Sequence, residues 1–377
     1  MKKSFDCLVV TFGLILFSVS VGAEEGLKQR IKVLEGKVET LESDQRKAPS
    51  ETIGLFGGLK LSGFVDTSYV YDDNAESNTF SLDQFEVDIE KTISDKASLR
   101  ADVNFNKSDE EDGLDFDEIM EQGYVTYSAS MGDGVDFTFG KFNAPIGFEL
   151  LDAPNMFQFS HALVFDFALP TNLTGVMATF DLGGEDDVNV TLYGVNGWDV
   201  SSDNNTGKTF GGRVGFSSID DVQFGISALY GPELEDNESD KRLVVDVDLT
   251  ITAGDDLTIG AEVNYGKEDN TSLKTAGYDS EWFGGLLMCH YDFDENVGLT
   301  MRYDYFSDHE GSIFGLVGGK EITRQAFTIA PTFSIDPGAG FLMEYRYDLA
   351  DEDFFMDADD HPKDHNHTVA FEFTYSF

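Results

Sequence analysis

Two short stretches of the sequence carry side chains that could bind a divalent cation. His361, His365 and His367 stand among aspartates near the C-terminus, and imidazole and carboxylate groups are common metal ligands. The run 292–298 begins like the calcium loop of an EF-hand, but its Gly is one position late and no Glu closes the loop. Solvated polar loops are therefore the favoured interpretation of both stretches.

Other chemistry is not indicated by the sequence. It contains no nucleophile elbow, no P-loop and no helical metalloprotease motif, so the protein is predicted not to be an enzyme. A net charge of -46, from 71 acidic against 25 basic residues, disfavours nucleic acid as a partner. The acidic runs 108–118 and 233–242 are interpreted as hydrated loops, with bridging to neighbouring surface anions by Ca²⁺ or Mg²⁺ as the alternative. No other cofactor is predicted.

Most remaining charges alternate with apolar residues. In the run 84–90, Gln, Glu, Asp and Glu alternate with Phe, Val and Ile, which is the period of a β-strand with one polar face. The same pattern assigns twelve acidic and six basic residues to one polar face: Asp66, Glu86, Asp88, Glu90, Asp102, Asp246, Asp248, Glu262, Asp304, Glu344, Asp348 and Glu372, against Lys60, Arg100, Lys141, Arg213, Arg302 and Arg346.

Sixteen alternating segments position these charges. They cover 59–71, 80–91, 97–105, 119–129, 135–142, 173–182, 188–195, 209–217, 222–230, 242–251, 257–265, 282–293, 297–306, 324–333, 341–348 and 367–377. Seven connections are tight and rich in Asp or Gly, and the eight between them are long and polar. The opposite face is an apolar belt with Tyr and Phe at both ends. These features predict an all-β, transmembrane antiparallel barrel over 59–377, whose lumen is wide enough for water.

The stretch 140–176 is too long for an ordinary connection and too rich in Phe for a solvated one. We expect it to fold into the barrel and narrow the lumen. It contributes Glu149, Asp152 and Asp166, against Lys141 at its root, which predicts a weak preference for cations. The alternative is that basic side chains cluster opposite the loop and read anionic or dipolar solutes; these are Arg100, Arg213, Arg302 and Arg346.

The N-terminal residues read as processing and assembly segments. Residues 1–23 have the basic, apolar and small-residue regions of a signal peptide. Residues 24–46 form a predicted periplasmic coiled-coil helix, and 47–58 a linker. The seam of that helix consists of Leu27, Ile31, Leu34, Val38 and Leu41, with β-branched residues and Leu at the two core positions, a pattern that favours two strands. A single amphipathic helix lying on its own barrel is the alternative.

Motifs around the long stretch resemble the OmpL-like, beta-barrel porin-2 family. They are Gly140-Lys141-Phe142, Pro145-Ile146-Gly147, Glu149, Asp152-Ala153-Pro154 and Thr174-Gly175-Val176. The N-terminal coiled coil is similar to that of the phosphate- and pyrophosphate-selective porins O and P, which implies a homotrimer. Those channels have basic lumens, however, so phosphate selectivity is not transferred to this acidic one.

The final strand resembles the signal that the outer-membrane assembly machinery recognises. Phe373, Tyr375 and Phe377 share its apolar face. The sequence therefore predicts a porin in the outer membrane of a Gram-negative bacterium, in contact with lipid and lipopolysaccharide, that passes small hydrophilic solutes and ions by passive diffusion. The alternative is a barrel that serves as an adhesin, a receptor or a scaffold for a partner protein.

Overall fold

The computed structural model describes residues 57–105, 119–131, 134–182, 188–219, 221–316 and 319–377. The predicted signal peptide at 1–23, the coiled coil at 24–46 and most of the linker at 47–58 lie outside the described residues. The described chain from Gly58 to Phe377 forms one compact unit.

Sixteen antiparallel strands close into a barrel, and each pairs with its neighbours in sequence. They are β1 Leu59–Asp72, β2 Ser77–Ser94, β3 Ala97–Asn104, β4 Met120–Ala129, β5 Val135–Asn143, β6 Asn172–Asp181, β7 Val188–Val195, β8 Thr209–Ile219, β9 Val222–Gly231, β10 Arg242–Ala253, β11 Leu257–Glu268, β12 Ser280–Asp294, β13 Val297–Asp308, β14 Ile322–Asp336, β15 Ala339–Ala350 and β18 His365–Ser376. Every predicted strand is confirmed.

Three smaller elements were not predicted. A two-stranded sheet, β16 Phe355–Met356 with β17 Pro362–Lys363, lies in the last long connection. A 3-10 turn at Ala153–Asn155 and a short helix, α1 Leu163–Ala168, lie between β5 and β6. No helix in the described part of the chain is long and apolar enough to cross a bilayer.

The barrel is closed by its first and last strands. β1 and β18 are antiparallel, with Val65 opposite Tyr375. At the end of this seam, the Gly63 N–H donates to the Phe377 carbonyl at 3.1 Å and the Phe377 N–H donates to the Gly63 carbonyl at 2.9 Å. Closure therefore leaves no open edge in the sheet, as a hydrocarbon environment requires.

The two faces of the wall alternate as expected from the sequence. On β10, Val245 is 37% exposed whereas the next residue, Asp246, is 0% exposed. Phe139, Tyr230 and Phe373 likewise stand on the outer surface. The outer apolar side chains form the face that suits lipid, and the carboxylates point inward, where they avoid a cost of about 2–4 kcal/mol per charge at the bilayer midplane.

Connection lengths follow the predicted alternation with one exception. Tight turns join β2 to β3, β10 to β11 and β14 to β15 at one end of the barrel, and the longer connections lie at the other end. The exception is between β1 and β2, where both strands extend further than predicted and leave only 73–76 as a turn. That connection was expected to be long, and the expectation was wrong.

Candidate functional site

The connection between β5 and β6 folds into the lumen. β5 ends at Asn143 and β6 begins at Asn172, so the lumen loop is 144–171 rather than the predicted 140–176. The outer residues of the predicted range are paired strand residues, as shown by Gly140 opposite Gly175. The contacts described next show how the segment 144–171 lies inside the barrel.

The helix of the lumen loop packs on apolar residues of the inner wall. Leu163, Val164 and Ala168 are 0–1% exposed and belong to one cluster with inward-facing Trp282 and Phe306. Full burial of a Leu or Val side chain stabilises by about 1.5–3 kcal/mol relative to exposure. One side of the lumen, from β11 to β14, is thus occupied by α1.

A glycine lets the start of the loop bind the wall at β11. Gly147 has φ +89°, a left-handed conformation that favours glycine. It directs the Phe148 N–H to the Glu262 Oε2 atom at 2.7 Å. The ring of Phe148 then lies over Gly260, where an added Cβ would be 2.1 Å from the ring Cζ. The bare backbone of Gly260 is therefore the surface that receives the ring.

Two arginines fasten the middle of the loop. The Arg302 Nη1 atom donates to Glu149 Oε1 at 2.8 Å, and its Nη2 atom donates to the His161 carbonyl at 3.0 Å. Arg346 donates to the same carbonyl at 2.7 Å. The side chains of Arg302 and Glu149 are only 0% and 1% exposed. Displacing the loop would leave the Arg302 charge buried without Glu149, which is costly, so these contacts, here called the Arg302 anchor, are a principal fastening of the loop.

The far part of the loop reaches the opposite wall. The Gln84 side chain on β2 accepts from the Ala153 N–H at 3.0 Å and donates to the Leu151 carbonyl at 3.3 Å. On β15, Glu344 accepts from the Ser160 N–H at 3.1 Å. The loop is consequently held from several sides of the barrel and crosses its interior.

The predicted constriction residues do not lie together at one point of the lumen. Glu149, Arg302 and Arg346 belong to the anchor and are withdrawn from solvent. The predicted basic cluster opposite the loop is wrong, because Arg302 and Arg346 bind the loop itself while Arg100 and Arg213 lie on β3 and β8.

Lys141 is also misplaced by the sequence-based prediction. The β5 register puts it on the same side as Phe139, which is 51% exposed on the outer face, whereas Phe142 is buried inside. The alternation has a period of two, so an error of one residue transfers a side chain to the other face. Lys141 therefore does not line the lumen.

The other predicted charges face the interior. Asp166 is exposed and lines two cavities. Side chains of Arg100 and Arg213 are 31% and 21% exposed, and each binds a carboxylate: Arg100 contacts Asp102 at 2.8 Å and Arg213 contacts Asp248. The positive charge of each of these two guanidinium groups is therefore neutralised by a neighbouring carboxylate.

Asp152 begins the 3-10 turn of the loop and lies among further carboxylates. Burial raises its pKa to about 6, and the neighbouring charges of Glu121 and Asp88 act in the same direction. The loop therefore presents its acidic groups to the lumen at two points, Asp152 and Asp166.

Space remains on both sides of the loop. Toward the long connections lies a cavity of about 410 Å³, lined by Asp166, Trp198, Arg242 and Glu268 among others. Toward the tight turns lies one of about 340 Å³, whose lining includes Phe157 and His290. The loop thus has open space on both of its sides.

Sequence reasoning missed the apolar residues that receive the loop. Leu229, Val244, Leu286 and Met288 face inward and are 0–6% exposed. The available signal was a break in alternation, since 243–245 and 286–288 are apolar on both faces. Such a run indicates a wall segment covered on its inner side as well.

A closed barrel with a lipid-compatible exterior, a charged interior and an inward loop is the architecture of an outer-membrane porin. OmpT of Vibrio cholerae, an outer membrane protein in its trimer form, has 13% identity and a TM-score of 0.60 over 85% of this chain and 99% of its own. The outer membrane channel DcaP of Acinetobacter baumannii has 13% identity and a TM-score of 0.60, over 85% and 97%. The anion-selective porin from Comamonas acidovorans has 10% identity and 0.59, over 85% and 99%.

At these identities the likeness concerns the fold alone, and no curated protein matches the sequence significantly. Family membership comes from a separate match, in which residues 58–377 fit the family described as "Putative beta-barrel porin-2, OmpL-like". The chain therefore belongs to the OmpL-like β-barrel porins, as its motifs indicated, and it is a protein of the Gram-negative outer membrane.

Proposed function

We propose that this porin passes small hydrophilic solutes and ions by passive diffusion, with the lumen loop 144–171 setting the size limit. The supporting observation is the loop itself, which crosses the lumen and is fastened to β2, β11, β13 and β15. The mechanism is steric and electrostatic and needs no chemical step.

A weak preference for cations follows from the charges that remain accessible. Arg302 and Arg346 are bound within the anchor, and Arg100 and Arg213 are each paired with carboxylates. Carboxylates that line a narrow passage favour cations. Because the Debye length is about 8 Å at 0.15 M salt, only charges close to the passage act strongly, and the preference should increase at low salt.

The remaining proposed partners are supported by the family, by the segment 24–46 and by the last strand. We propose a homotrimer, with the segment 24–46 contributing to its assembly through the residues named above. The apolar outer face would contact lipid, and lipopolysaccharide would surround the long connections. Phe373, Tyr375 and Phe377, which are 43–58% exposed on the outer face, would form the recognition signal for the assembly machinery.

Single-channel recording in planar bilayers tests the transport proposal. Stepwise ohmic openings are expected from the wild-type protein, and deletion of Leu150–Thr171 should raise their conductance while the barrel still migrates as a heat-modifiable band. No openings from well-folded protein would instead favour an adhesin, a receptor or a scaffold. An unchanged conductance after the deletion would refute the size-limiting role of the loop.

Reversal potentials in a KCl gradient test the ion preference. We expect a cation-selective sign that weakens in Asp166→Asn, because this exposed carboxylate lines cavities beside the loop. Asp353→Asn removes the same charge from an exposed position in the last long connection and should have little effect. A chloride-selective sign in the wild-type protein would contradict the proposal.

A further inference from the structure

Three carboxylates meet where the lumen loop touches the wall between β2 and β4. Glu86 lies on β2, Glu121 on β4 and Asp152 on the loop, and one oxygen of each lies within 4.8 Å of the other two. Glu86 and Glu121 are each only 1% exposed. Like charges brought together away from water repel one another strongly, and either a shared proton or a bound cation can relieve that repulsion.

The backbone is irregular in a way that creates this cluster. Gly123 and Val125 share the outward register of β4, so regular alternation would also turn Glu121 toward lipid. A bulge opposite the Asp102–Val103 step, where the β3 register passes from Gln122 to Met120, inserts Glu121 as an extra residue and turns it inward. Bulges commonly redirect a side chain next to a functional site.

Glu86 supplies an independent indication that the cluster binds a ligand. Its Oε2 atom is buried and has no hydrogen-bond partner among the described residues. The nearby guanidinium of Arg100 is engaged elsewhere, with Asp102 at 2.8 Å, Glu90 at 3.4 Å and Asp88 at 3.8 Å. A buried carboxylate oxygen without a donor carries a large desolvation cost, which a bound cation would remove.

We propose that Glu86, Glu121 and Asp152 bind a divalent cation, Ca²⁺, which joins the lumen loop to β2 and β4. Hard oxygen ligands suit Ca²⁺, and its tolerance of irregular geometry suits carboxylates from two strands and a loop, with water completing the shell. Mg²⁺ demands a near-octahedral arrangement and is the weaker candidate. The site would be a further fastening of the loop, beside the Gln84 contacts and separate from the Arg302 anchor.

Calcium binding to the full-length protein in detergent tests the site without requiring conduction. The chelator-treated protein is titrated with CaCl₂ by calorimetry, alone and with MgCl₂ as competitor. Compared variants are Glu86→Gln and Asp152→Asn, with Asp246→Asn as the matched control, because Asp246 is a buried lumen carboxylate on β10 that contacts Asn264 instead. The exposed acidic loops are the same in all four proteins, so weak Ca²⁺ binding by these loops contributes equally to each titration.

We expect one tighter Ca²⁺ site in the wild type and in the control. In the two site variants this site should be lost, or its Ca²⁺ affinity should fall at least about tenfold, because even the supporting groups of metal sites change affinity by about 10–100-fold. Hydrogen exchange of 150–156 should slow on adding Ca²⁺ in the wild type but not in Asp152→Asn. If Glu86→Gln does not fold, Asp152→Asn decides the test because it lies outside the strands. Identical binding curves in all four proteins, or a tighter site that Asp152→Asn retains, would overturn the proposal.

Discussion

At the residue scale, the charges of this lumen have two different roles. Glu149 and Arg302 hold each other and the loop away from solvent, whereas Asp166 stands in the open space beside it. Sequence alternation correctly placed Arg302 on the inner face, but it could not show which charges would be neutralised. That information depends on the path of the loop, which brings Glu149 to a strand more than a hundred residues away.

Breaking the anchor should loosen the loop while leaving the barrel closed. Arg302→Met leaves the Glu149 carboxylate buried without its positively charged partner, and removing one member of a buried ion pair costs about 3–5 kcal/mol. Hydrogen exchange across 144–171 should therefore accelerate, including at Ala162, whose N–H donates to Glu149 at 2.7 Å.

Arg213→Met is the matched control for that experiment. Arg213 also faces the lumen, but its hydrogen bonds are to the strand residues Ser227 and Asp248 and not to the loop. Equal acceleration of loop exchange in both variants would show that the Arg302 contacts are not a specific fastening.

At the scale of elements, the strands were predictable and the loop's internal structure was not. The alternation of apolar and polar residues is a local property, so about ten residues are enough to identify each strand. Helix α1 has only six residues and no side-chain cap, so its stability comes from packing on the wall rather than from its own sequence. The only signal of its docking surface was the break in alternation at 243–245 and 286–288, which shows that the inner face is covered but not by which segment.

The contact between Phe148 and Gly260 should show strong coupling between loop and wall. Gly260→Ala places a methyl group in the space of the Phe148 ring and should destabilise the protein by about 1–3 kcal/mol through overpacking. In a Phe148→Ala background the obstruction is gone, and the same change should be neutral or stabilising by about 0.5–1 kcal/mol.

Unfolding of the four proteins of this cycle in detergent measures the coupling. Additive effects would mean that the loop does not rest on Gly260. Conductance supplies a second readout, since a displaced loop should give larger and noisier openings in the Gly260→Ala single variant.

At the scale of the whole molecule, the assembly state is a prediction that rests on 24–46 and on the family. Two heptads are short, so contacts between barrels should dominate and the helix should add to them. Ile31→Asp combined with Val38→Asp places charges in the seam and should loosen the oligomer without unfolding the barrel.

Native mass spectrometry of the wild type and of this double variant measures the effect. We expect a trimer that dissociates more readily after the substitutions. A dimeric mass for the wild type would contradict the trimer and favour the two-stranded preference of the seam.

The barrel is closed by its first and last strands, β1 and β18, which are far apart in the sequence. Thr67 and Phe373, 306 positions apart, are opposite each other across the seam of β1 and β18. A product truncated within the barrel would keep two unpaired strand edges, which promote aggregation in water and cannot be satisfied in lipid. A premature stop codon within the barrel should therefore give a degraded product instead of a narrower channel.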